Sequence, residues 1–532
     1  MRLPCLAPAS EGYSAQGLPR VANAMLSKVW SAATLGIDAV RIVIEVDARP
    51  AGQPGFTLVG LPDAAVRESY SRVRSALANC GLYLPARHIT VNLSPADVRK
   101  EGTGFDLPIA VGMLHALELL RDEDVAGRVF VGELSLDGTL TSIRGTLSVS
   151  AAISGDGAIR ELIVPSANAN EAAAVRGLRV VGAPHLPALL EHLTGTAPLA
   201  AADSCASDES GELPDFADVR GQLVAKRALE VAAAGGHNVM MIGAPGSGKT
   251  MLAKRLASIL PGLTQEEALV TTKIHSVAGV LPVGSGLLTR RPFRAPHHTI
   301  STAGMAGGGT PLRPGEVSLA HHGVLFLDEL AEFRRETLEV MRQPMEDGIV
   351  TIARAARTVT FPARFTLAAA LNPCPCGYYQ DARRDCLCTP VQISRYLAKI
   401  SGPLLDRIDL QVEVAALTTD EIASVEPGEP SAAIRARVEA ARQLQRERFR
   451  RAAIRCNAEM TTHHMRRACE LDPASRRLLT SAIDRLGLSA RAHDRILKVA
   501  RTVADLAGCE RLEPAHVAEA IQYRALDRGY FR

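Results

Sequence analysis

One stretch of eight residues has the composition of a phosphate-binding loop. In chain order these residues are Gly243, Ala244, Pro245, Gly246, Ser247, Gly248, Lys249 and Thr250. The apolar run before the stretch predicts a buried strand and the segment after it predicts a helix, which is the context this motif requires. There the glycines let backbone N–H groups close around phosphates, Lys249 neutralises the β- and γ-oxygens, and Thr250 holds Mg²⁺. A chance match in a glycine-rich turn is the alternative, and the order of strand, loop and helix disfavours it.

Three further segments place polar residues where the same chemistry can use them. The run GVLFLDEL predicts a buried strand that ends in Asp328 and Glu329, a ligand for Mg²⁺-bound water and a group that polarises the attacking water. Alone this signal is weak, but beside a phosphate loop it is strong. Asn372 follows the apolar run FTLAAAL, the position of a γ-phosphate sensor. Arg407 lies in the apolar segment SGPLLDRIDL, which makes it a candidate arginine finger for a neighbour's nucleotide, because buried arginine is costly without an anion.

Four of the ten cysteines lie close together in LNPCPCGYYQDARRDCLC, directly after Asn372. They are Cys374, Cys376, Cys386 and Cys388. Four thiolates suit tetrahedral Zn²⁺, but the Cys-x-Cys spacing is tighter than the usual Cys-x₂₋₄-Cys spacing. A structural zinc and four reduced thiols therefore both remain open, whereas a catalytic metal is disfavoured because all-cysteine sites are usually closed.

Three segments are candidates for contact with a charged polymer. The run GIVTIARAARTVTFPARF predicts a hairpin with Arg354 and Arg357 at or near its tip. A solvated turn is the alternative. Residues 290–318 are too rich in Gly, Pro and His for a packed element and predict a surface loop. The arginine-rich helix near Arg435–Arg451 predicts either a phosphate-binding face or, more simply, a solvated surface, since acidic residues interrupt the positive run.

Composition and length set the frame for these sites. A chain of 532 residues with 47% hydrophobic and 22% charged residues predicts about three globular domains. The net charge of +3 gives no overall signal for nucleic acid, so any basic surface must be local. Irregularly spaced cysteines and the lack of an export signal predict the reducing cytoplasm and no membrane partner. The first residues predict a disordered leader, with Met25 as an alternative start.

The pattern of strands, helices and linkers predicts five segments and an α/β fold. They are a leader at 1–25, a domain of alternating strands and helices at 26–195, an Ala-, Ser- and Asp-rich linker at 196–214, an α/β core at 215–415 and an all-helical domain at 416–532.

The motifs RAPHHTIS, RPGEVSLAHHGVLFLDEL, LNPCPCG and KISGPLLDRIDL resemble those of the magnesium-chelatase-like AAA+ ATPases of the competence protein ComM (YifB) family. The resemblance extends from Ser27 onward. It implies an AAA+ P-loop core with a C-terminal helical lid, ATP and Mg²⁺ as cofactors, and residues 290–318 as an insert directed to the pore of a ring. It also implies that the hairpin faces this pore, where we expect Arg354 and Arg357 to contact DNA phosphates. It also assigns roles: Lys249 and Thr250 to Walker A, Asp328 and Glu329 to Walker B, Asn372 to sensor 1, Arg407 to the arginine finger and Arg491 to sensor 2.

The N-terminal domain resembles the proteolytic domain of Lon. Such proteases need a serine nucleophile and a lysine base. The family places the serine near Thr103 and the lysine within TLSVSAA, and this chain has neither there. Ser94, Thr103 and Ser148 are hydroxyls nearby, which are more often structural than nucleophilic. We therefore expect a domain without proteolytic activity that serves in assembly or in DNA binding.

The family implies a homo-oligomeric, hexameric ring that acts as a helicase on single-stranded or branched DNA. By the same resemblance it promotes branch migration during homologous recombination and natural transformation. The second hypothesis is the ATPase subunit of a magnesium chelatase, disfavoured because that subunit lacks a Lon-like domain. A protease or a scaffold without activity is the third, and the intact nucleotide motifs disfavour the scaffold.

Overall fold

The computed structural model describes residues 26–51, 53–203, 213–354, 357–381, 384–416, 428–452 and 454–526. The predicted leader, much of the predicted linker and the start of the predicted helical domain lie outside these ranges. The described residues form two compact units. The N-terminal unit contains the residues up to 203 together with Gly279–Leu287, and the C-terminal unit contains the others.

The N-terminal unit is built on a seven-stranded mixed sheet. Its strands are β1 Ser27–Leu35, β2 Asp38–Pro50, β3 Gly55–Val59, β4 Arg87–Ser94, β5 Arg128–Phe130, β6 Glu133–Leu134, β7 Leu140–Thr141, β8 Glu161–Pro165 and β9 Val180–Ala183. Its helices are α1 Ala64–Asn79, α2 Asp106–Ala116, α3 Asp122–Val125, α4 Thr146–Ile153, α5 Ala169–Ala173 and α6 Leu186–Leu193. The sheet order is β3-β4-β2-β1-β5-β8-β9, with β6 and β7 paired separately. The run AVRIVIEVDA lies in β2, and the run HITVNLSPA begins in β4.

The hydroxyl groups that a protease would need have structural partners. Ser148 Oγ donates to the carbonyl oxygen of Ile37 at 2.6 Å. Thr103 Oγ1 donates to the carboxylate of Glu133. These bonds agree with a structural role for both side chains, and the absence of proteolysis stays a prediction.

The C-terminal unit contains the remaining elements. Its strands are β10 Val239–Ile242, β11 Phe293–Arg294, β12 Gly307–Gly308, β13 Arg313–Pro314, β14 Val324–Leu327, β15 Ile349–Arg354, β16 Arg357–Pro362, β17 Thr366–Leu371 and β18 Leu410–Glu413. Its helices are α7 Leu223–Gly235, α8 Lys249–Ile259, α9 Gln265–Ala278, α10 Thr302–Ala306, α11 Glu316–Leu319, α12 Arg335–Glu339, α13 Arg342–Asp347, α14 Pro390–Leu397, α15 Gly402–Leu405, α16 Ser431–Arg448, α17 Thr462–Ala468, α18 Pro473–Leu486, α19 Ala490–Leu506 and α20 Pro514–Gln522. Short 3₁₀ helices occur at Phe216–Asp218, Leu330–Glu332 and Asn457–Glu459. The N-terminal unit has one at Ser166–Asn168.

A five-stranded parallel sheet with the order β11-β14-β17-β10-β18 forms the centre of this unit. Strands β10, β14 and β17 are buried along their whole length, which explains why they are continuous apolar runs rather than alternating ones. Their parallel direction brings the segments after all three to the same edge. This confirms the predicted α/β fold, which is consistent with an AAA+ P-loop core.

Four arginines of α16 bind this helix to the core, whereas Arg446, Arg450 and Arg451 are exposed, so the expected surface near Arg435–Arg451 is solvated only in part. The phosphate-binding face stays a prediction. Arg435 Nε donates to a backbone carbonyl of α8 at 2.8 Å, and Arg442 Nη2 donates to one of α7 at 2.9 Å. Arg437 and Arg448 form ion pairs with the buried carboxylates of α7 and α19, both at 2.5 Å. These four positive residues therefore connect α16 to neighbouring helices of the C-terminal unit. None of the described helices combines the length and apolar character needed to cross a membrane.

Candidate nucleotide-binding site

The predicted phosphate loop connects β10 to α8. Gly246 and Gly248 have φ values of +79° and +95°, a region that favours glycine. Gly243 is needed for a different reason. A Cβ atom there would lie 2.3 Å from the carbonyl oxygen of Val414, the residue after β18. The glycines of the motif therefore serve a left-handed turn and a close backbone approach, and α8 begins immediately after the loop with its N–H groups directed toward it.

Lys249 is the first residue of α8, and its side chain is buried inside the loop. Its Nζ donates to the carbonyl oxygens of Gly243 at 2.7 Å and Ala244 at 2.9 Å. Burial lowers the pKa of Lys249 to about 8, although the carboxylates of Asp328 and Glu329 oppose the shift. Among the described residues this ammonium group has no direct anionic partner, so phosphate oxygens would stabilise its charged form.

Thr250 and Asp328 meet across the sheet edge. Thr250 Oγ1 donates to Asp328 Oδ2 at 2.6 Å, and the backbone N–H of Glu329 donates to Asp328 Oδ1 at 3.0 Å. A hydroxyl and a carboxylate this close offer the hard oxygen ligands that Mg²⁺ prefers. Together with the buried lysine, this pair makes the edge fit a nucleotide with its magnesium ion.

Glu329 has a neighbour that no sequence pattern indicated. It adopts a left-handed conformation with φ of +52°, and its side chain is half exposed. Its Oε2 lies 3.5 Å from Nδ1 of His298. The ring of His298 contacts that of His297 at a tilt of 34°, with the centroids 4.1 Å apart. Both histidines belong to the motif RAPHHTIS, but only the fold shows that His298 reaches Glu329.

Asn372 directly follows β17, which lies between the strand of the phosphate loop and the strand of the acidic residues. The ends of β17 and β10 are joined directly, because Gly243 N donates to the carbonyl oxygen of Leu371 at 3.2 Å. Asn372 is therefore delivered to the same edge as Lys249 and Asp328, as the sequence predicts.

Arg407 lies at the opposite edge of the sheet. It precedes β18, which runs parallel to β10, and its carbonyl oxygen accepts a hydrogen bond of 2.9 Å from Asn238, the residue before β10. Its guanidinium forms an ion pair with Glu346 and donates from Nη1 to the carbonyl of Pro403 at 2.5 Å. Its buried Nε has no hydrogen-bond partner among the described residues. Within one chain, Arg407 is not brought to the phosphate loop.

Arg491 belongs to the same edge as Arg407. It is exposed in the first turn of α19, one turn before Arg495, whose Nη1 donates to the carbonyl oxygen of Arg407 at 3.1 Å. Burial alone would raise the pKa of Asp409, but Arg495 and His237 hold that pKa well below its usual range. The structure thus gathers Lys249 and its partners at one edge and leaves the two arginines at the other.

The remaining predicted residues lie outside this constellation but in the same unit. The Sγ atoms of Cys374, Cys376, Cys386 and Cys388 lie within 4.8 Å of one another, an arrangement that can hold a metal ion.

The predicted hairpin is present as β15 and β16, with Arg354 opposite Arg357 at its end. The residues of its turn, 355–356, lie outside the described ranges. The segment 290–318 is not the unpacked surface loop expected from its composition, because it contains β11, α10, the pair β12–β13 and most of α11 and buries Met305 and Val317. It contacts the hairpin, since a Cβ on Gly307 would lie 2.9 Å from Ile352.

Comparison with known proteins agrees with this architecture. Residues 215–422 match the family model "Magnesium chelatase, subunit ChlI", residues 44–168 match "Subunit ChlI of Mg-chelatase", and residues 428–524 match "Magnesium chelatase, subunit ChlI C-terminal". The chain is 44% identical over 509 residues to the competence protein ComM of Haemophilus influenzae, which covers 94% of this chain and 98% of that protein. The chain belongs to the magnesium-chelatase-like ComM/YifB family. To YifB of Escherichia coli it is 43% identical over 504 residues, again with 94% and 98% coverage.

A distant similarity adds a second kind of relative to the ComM/YifB family. The probable DNA helicase MCM9 of Oryza sativa subsp. indica is 26% identical over 176 residues, which is 33% of this chain and 21% of that protein. Membership of a magnesium-chelatase-like AAA+ family supports ATPase activity with ATP and Mg²⁺, and members of the AAA+ class commonly form oligomers.

Proposed function

We propose that this chain is the subunit of a hexameric ring in the cytoplasm that hydrolyses ATP to move along single-stranded or branched DNA. Its activity would be that of a helicase that promotes branch migration during homologous recombination and natural transformation. The observation that carries the DNA part is the connection of the hairpin to the nucleotide site. Residues 363–365 alone separate β16 from β17, and Asn372 directly follows β17. A force on the hairpin is therefore transmitted to the edge where the nucleotide would bind.

The ATP chemistry is assigned to this chain's own residues. Bound ATP with Mg²⁺ would supply the phosphoanhydride bond that is cleaved. Lys249 would exchange its two carbonyl partners for phosphate oxygens, and Thr250 and Asp328 would hold the magnesium ion. Glu329 would accept a proton from the attacking water, and Asn372 would orient that water or sense the terminal phosphate. Replacing Glu329 by Gln should abolish hydrolysis and retain ATP binding, because the amide keeps the size of the side chain but is not a base.

The position of Arg407 and Arg491 supports a site shared between subunits. Both lie at the sheet edge opposite their own phosphate loop, so a neighbouring copy must supply them if they contact the nucleotide. A mixture of two inactive variants tests this. Lys249→Ala subunits donate an intact Arg407 to Arg407→Ala subunits, whose own loops are intact. ATPase activity should reappear on mixing. A mixture as inactive as either variant alone would place Arg407 outside the nucleotide site.

Contact with DNA through the hairpin predicts a specific salt dependence. Each phosphate contact made to a single strand contributes about 0.7 to the slope of log affinity against log salt concentration. The double variant Arg354→Ala/Arg357→Ala should therefore reduce that slope by about 1.4 for each engaged hairpin. A matched control is Arg335→Ala, an exposed arginine on α12. Equal slopes for the double variant and the parent on forked DNA would rule the hairpin out as the DNA contact.

The second candidate is the ATPase motor of a metal-inserting chelatase acting on a porphyrin. The matching family models favour it by their descriptions, and residues 44–168 match one of them. The N-terminal domain therefore does not separate the two hypotheses, contrary to the expectation from the sequence. Strand displacement on a forked or three-stranded substrate separates the two hypotheses. Displacement by the parent, lost in Lys249→Ala and Glu329→Gln, is the expected result. Full ATPase activity without stimulation by DNA would favour the chelatase motor.

A further inference from the structure

The four sulfur atoms of the cysteine cluster have the spacing of a mononuclear metal site. Cys374 Sγ lies 3.3 Å from Cys376 Sγ and 3.7 Å from Cys386 Sγ, and the last two are 3.6 Å apart. A Zn–S bond of about 2.3 Å in a tetrahedron puts its sulfur atoms about 3.8 Å apart. All four cysteines are free thiols, and these separations exceed the disulfide bond length of about 2.05 Å. A polynuclear iron–sulfur cluster holds its thiolates on different iron atoms and hence farther apart.

Core packing does not explain the convergence of these thiols. Cys374 is buried, but Cys376, Cys386 and Cys388 are half exposed. Cys469, by contrast, is buried in the main apolar core of the unit. The backbone also supports a charged sulfur, because the N–H of the residue after Cys376 donates to Cys374 Sγ at 3.2 Å.

The residue that makes this bond, Gly377, also touches the phosphate loop. A Cβ on Gly377 would lie 2.4 Å from Cδ and 2.6 Å from Cγ of Pro245, so its backbone rests against the proline ring. Gly377 has a φ of +86°, which belongs to the tight turn that brings Cys374 and Cys376 together. The turn that carries Cys374 and Cys376 therefore lies directly against one wall of the phosphate loop.

We propose that Cys374, Cys376, Cys386 and Cys388 bind one Zn²⁺ and that this metal fixes the phosphate loop through Gly377. Four thiolates form a closed, structural site, since no ligand position is left for a substrate. Without the metal the turn at Gly377 loses its constraint and the loop loses its support. Fixing one additional loop residue corresponds to about a tenfold change in affinity, so ATP binding should weaken about tenfold. This second part rests on the proposed nucleotide site, whereas zinc binding does not.

The metal is tested first, on the full chain purified with a reductant and without metal-affinity resin. Elemental analysis should find about one zinc per chain, and Cys386→Ser should lose it. Cys509→Ser, a half-exposed cysteine outside the cluster, is the matched control and should keep its zinc. Parent protein without zinc, or Cys386→Ser with the parent's content, would overturn the site. Iron in place of zinc would overturn the identity of the metal.

The coupling is tested by nucleotide affinity, measured with a fluorescent ATP analogue and without DNA. Cys386→Ser and chelator-stripped parent should bind about tenfold more weakly, and added zinc should restore only the stripped parent. Pro245→Ala keeps all four cysteines and removes the ring on which Gly377 rests, so it should keep the zinc but weaken nucleotide binding. Circular dichroism of each variant identifies any that fail to fold, and for these the stripped and reloaded parent decides. Loss of zinc with unchanged affinity would overturn the coupling, and a parent that binds zinc but no nucleotide would refute the proposed ATPase instead.

Discussion

ATP affinity should fall as the pH rises through about 8, because the phosphate loop holds a lysine whose ammonium form is destabilised. Burial lowers the pKa of Lys249 to about 8 in the nucleotide-free chain, where its Nζ is bonded to two carbonyl oxygens. Phosphate oxygens bind the charged form and therefore raise that pKa again. The sign follows directly: nucleotide binding takes up a proton wherever Lys249 was neutral, so it weakens with rising pH.

The magnitude follows from the neutral fraction of Lys249. With a pKa of about 8, this fraction rises from about one tenth at pH 7 to about nine tenths at pH 9. The apparent Kd for ATP should accordingly increase about tenfold over this range, and almost all of the change should lie above pH 7.5. A lysine with its ordinary pKa of about 10.4 would give almost no change there.

The assay is a titration with a fluorescent ATP analogue at constant free Mg²⁺ and ionic strength, at several values between pH 7 and 9.5. Lys254→Gln removes an exposed lysine from the same helix, α8, and should keep the full pH dependence. Lys249→Met should bind weakly at every pH and lose the dependence. A Kd of the parent that stays constant across the range would refute the inference that Lys249 is held without an anionic partner.

Three further outcomes can be checked with single variants. Asp505→Ala should lower the free energy of unfolding by about 3–5 kcal/mol in a chemical denaturation experiment, because it leaves the buried guanidinium of Arg501 without its carboxylate; a change below 1 kcal/mol would contradict this. His298→Ala should reduce kcat and leave the Kd for ATP unchanged, since the ring lies 3.5 Å from Glu329 and not in the phosphate loop; an altered Kd would show a wider role. Gly243→Ala should abolish ATP binding measured by the same titration, because its Cβ would lie 2.3 Å from a backbone oxygen; normal binding would mean that the loop can move aside.

The contiguous motifs were the part of the site that the sequence predicted best. The residues from Gly243 to Thr250 are consecutive, and their glycine spacing already specifies the loop that the structure contains. Asp328 and Asn372 were also placed at the correct edge. Apolar runs long enough to be fully buried predict parallel strands, and parallel strands end at a common edge. The hairpin at Arg354 and Arg357 was predicted from the same kind of local pattern.

Positive charge was where sequence patterns misled. Four arginines of α16 look like part of a solvated or phosphate-binding face, but they are bonded to helices far away along the chain. Charge spacing along a helix shows which residues share a face and says nothing about what that face packs against. Arg407 illustrates the same limit: the apolar context indicated its burial, and only the direction of β18 showed that it lies at the edge opposite its own phosphate loop.

By itself the sequence determined the chemistry available at the phosphate loop, the α/β fold and the presence of four neighbouring cysteines. These are properties of short segments, so periodicity and motif spacing carry them. The tertiary structure decided which of these groups meet. It placed His298 beside Glu329 and Gly377 in contact with Pro245. It also brought four sulfur atoms within 4.8 Å of one another. Such contacts join residues distant in sequence, and they depend on how loops return across the sheet, which no local pattern encodes.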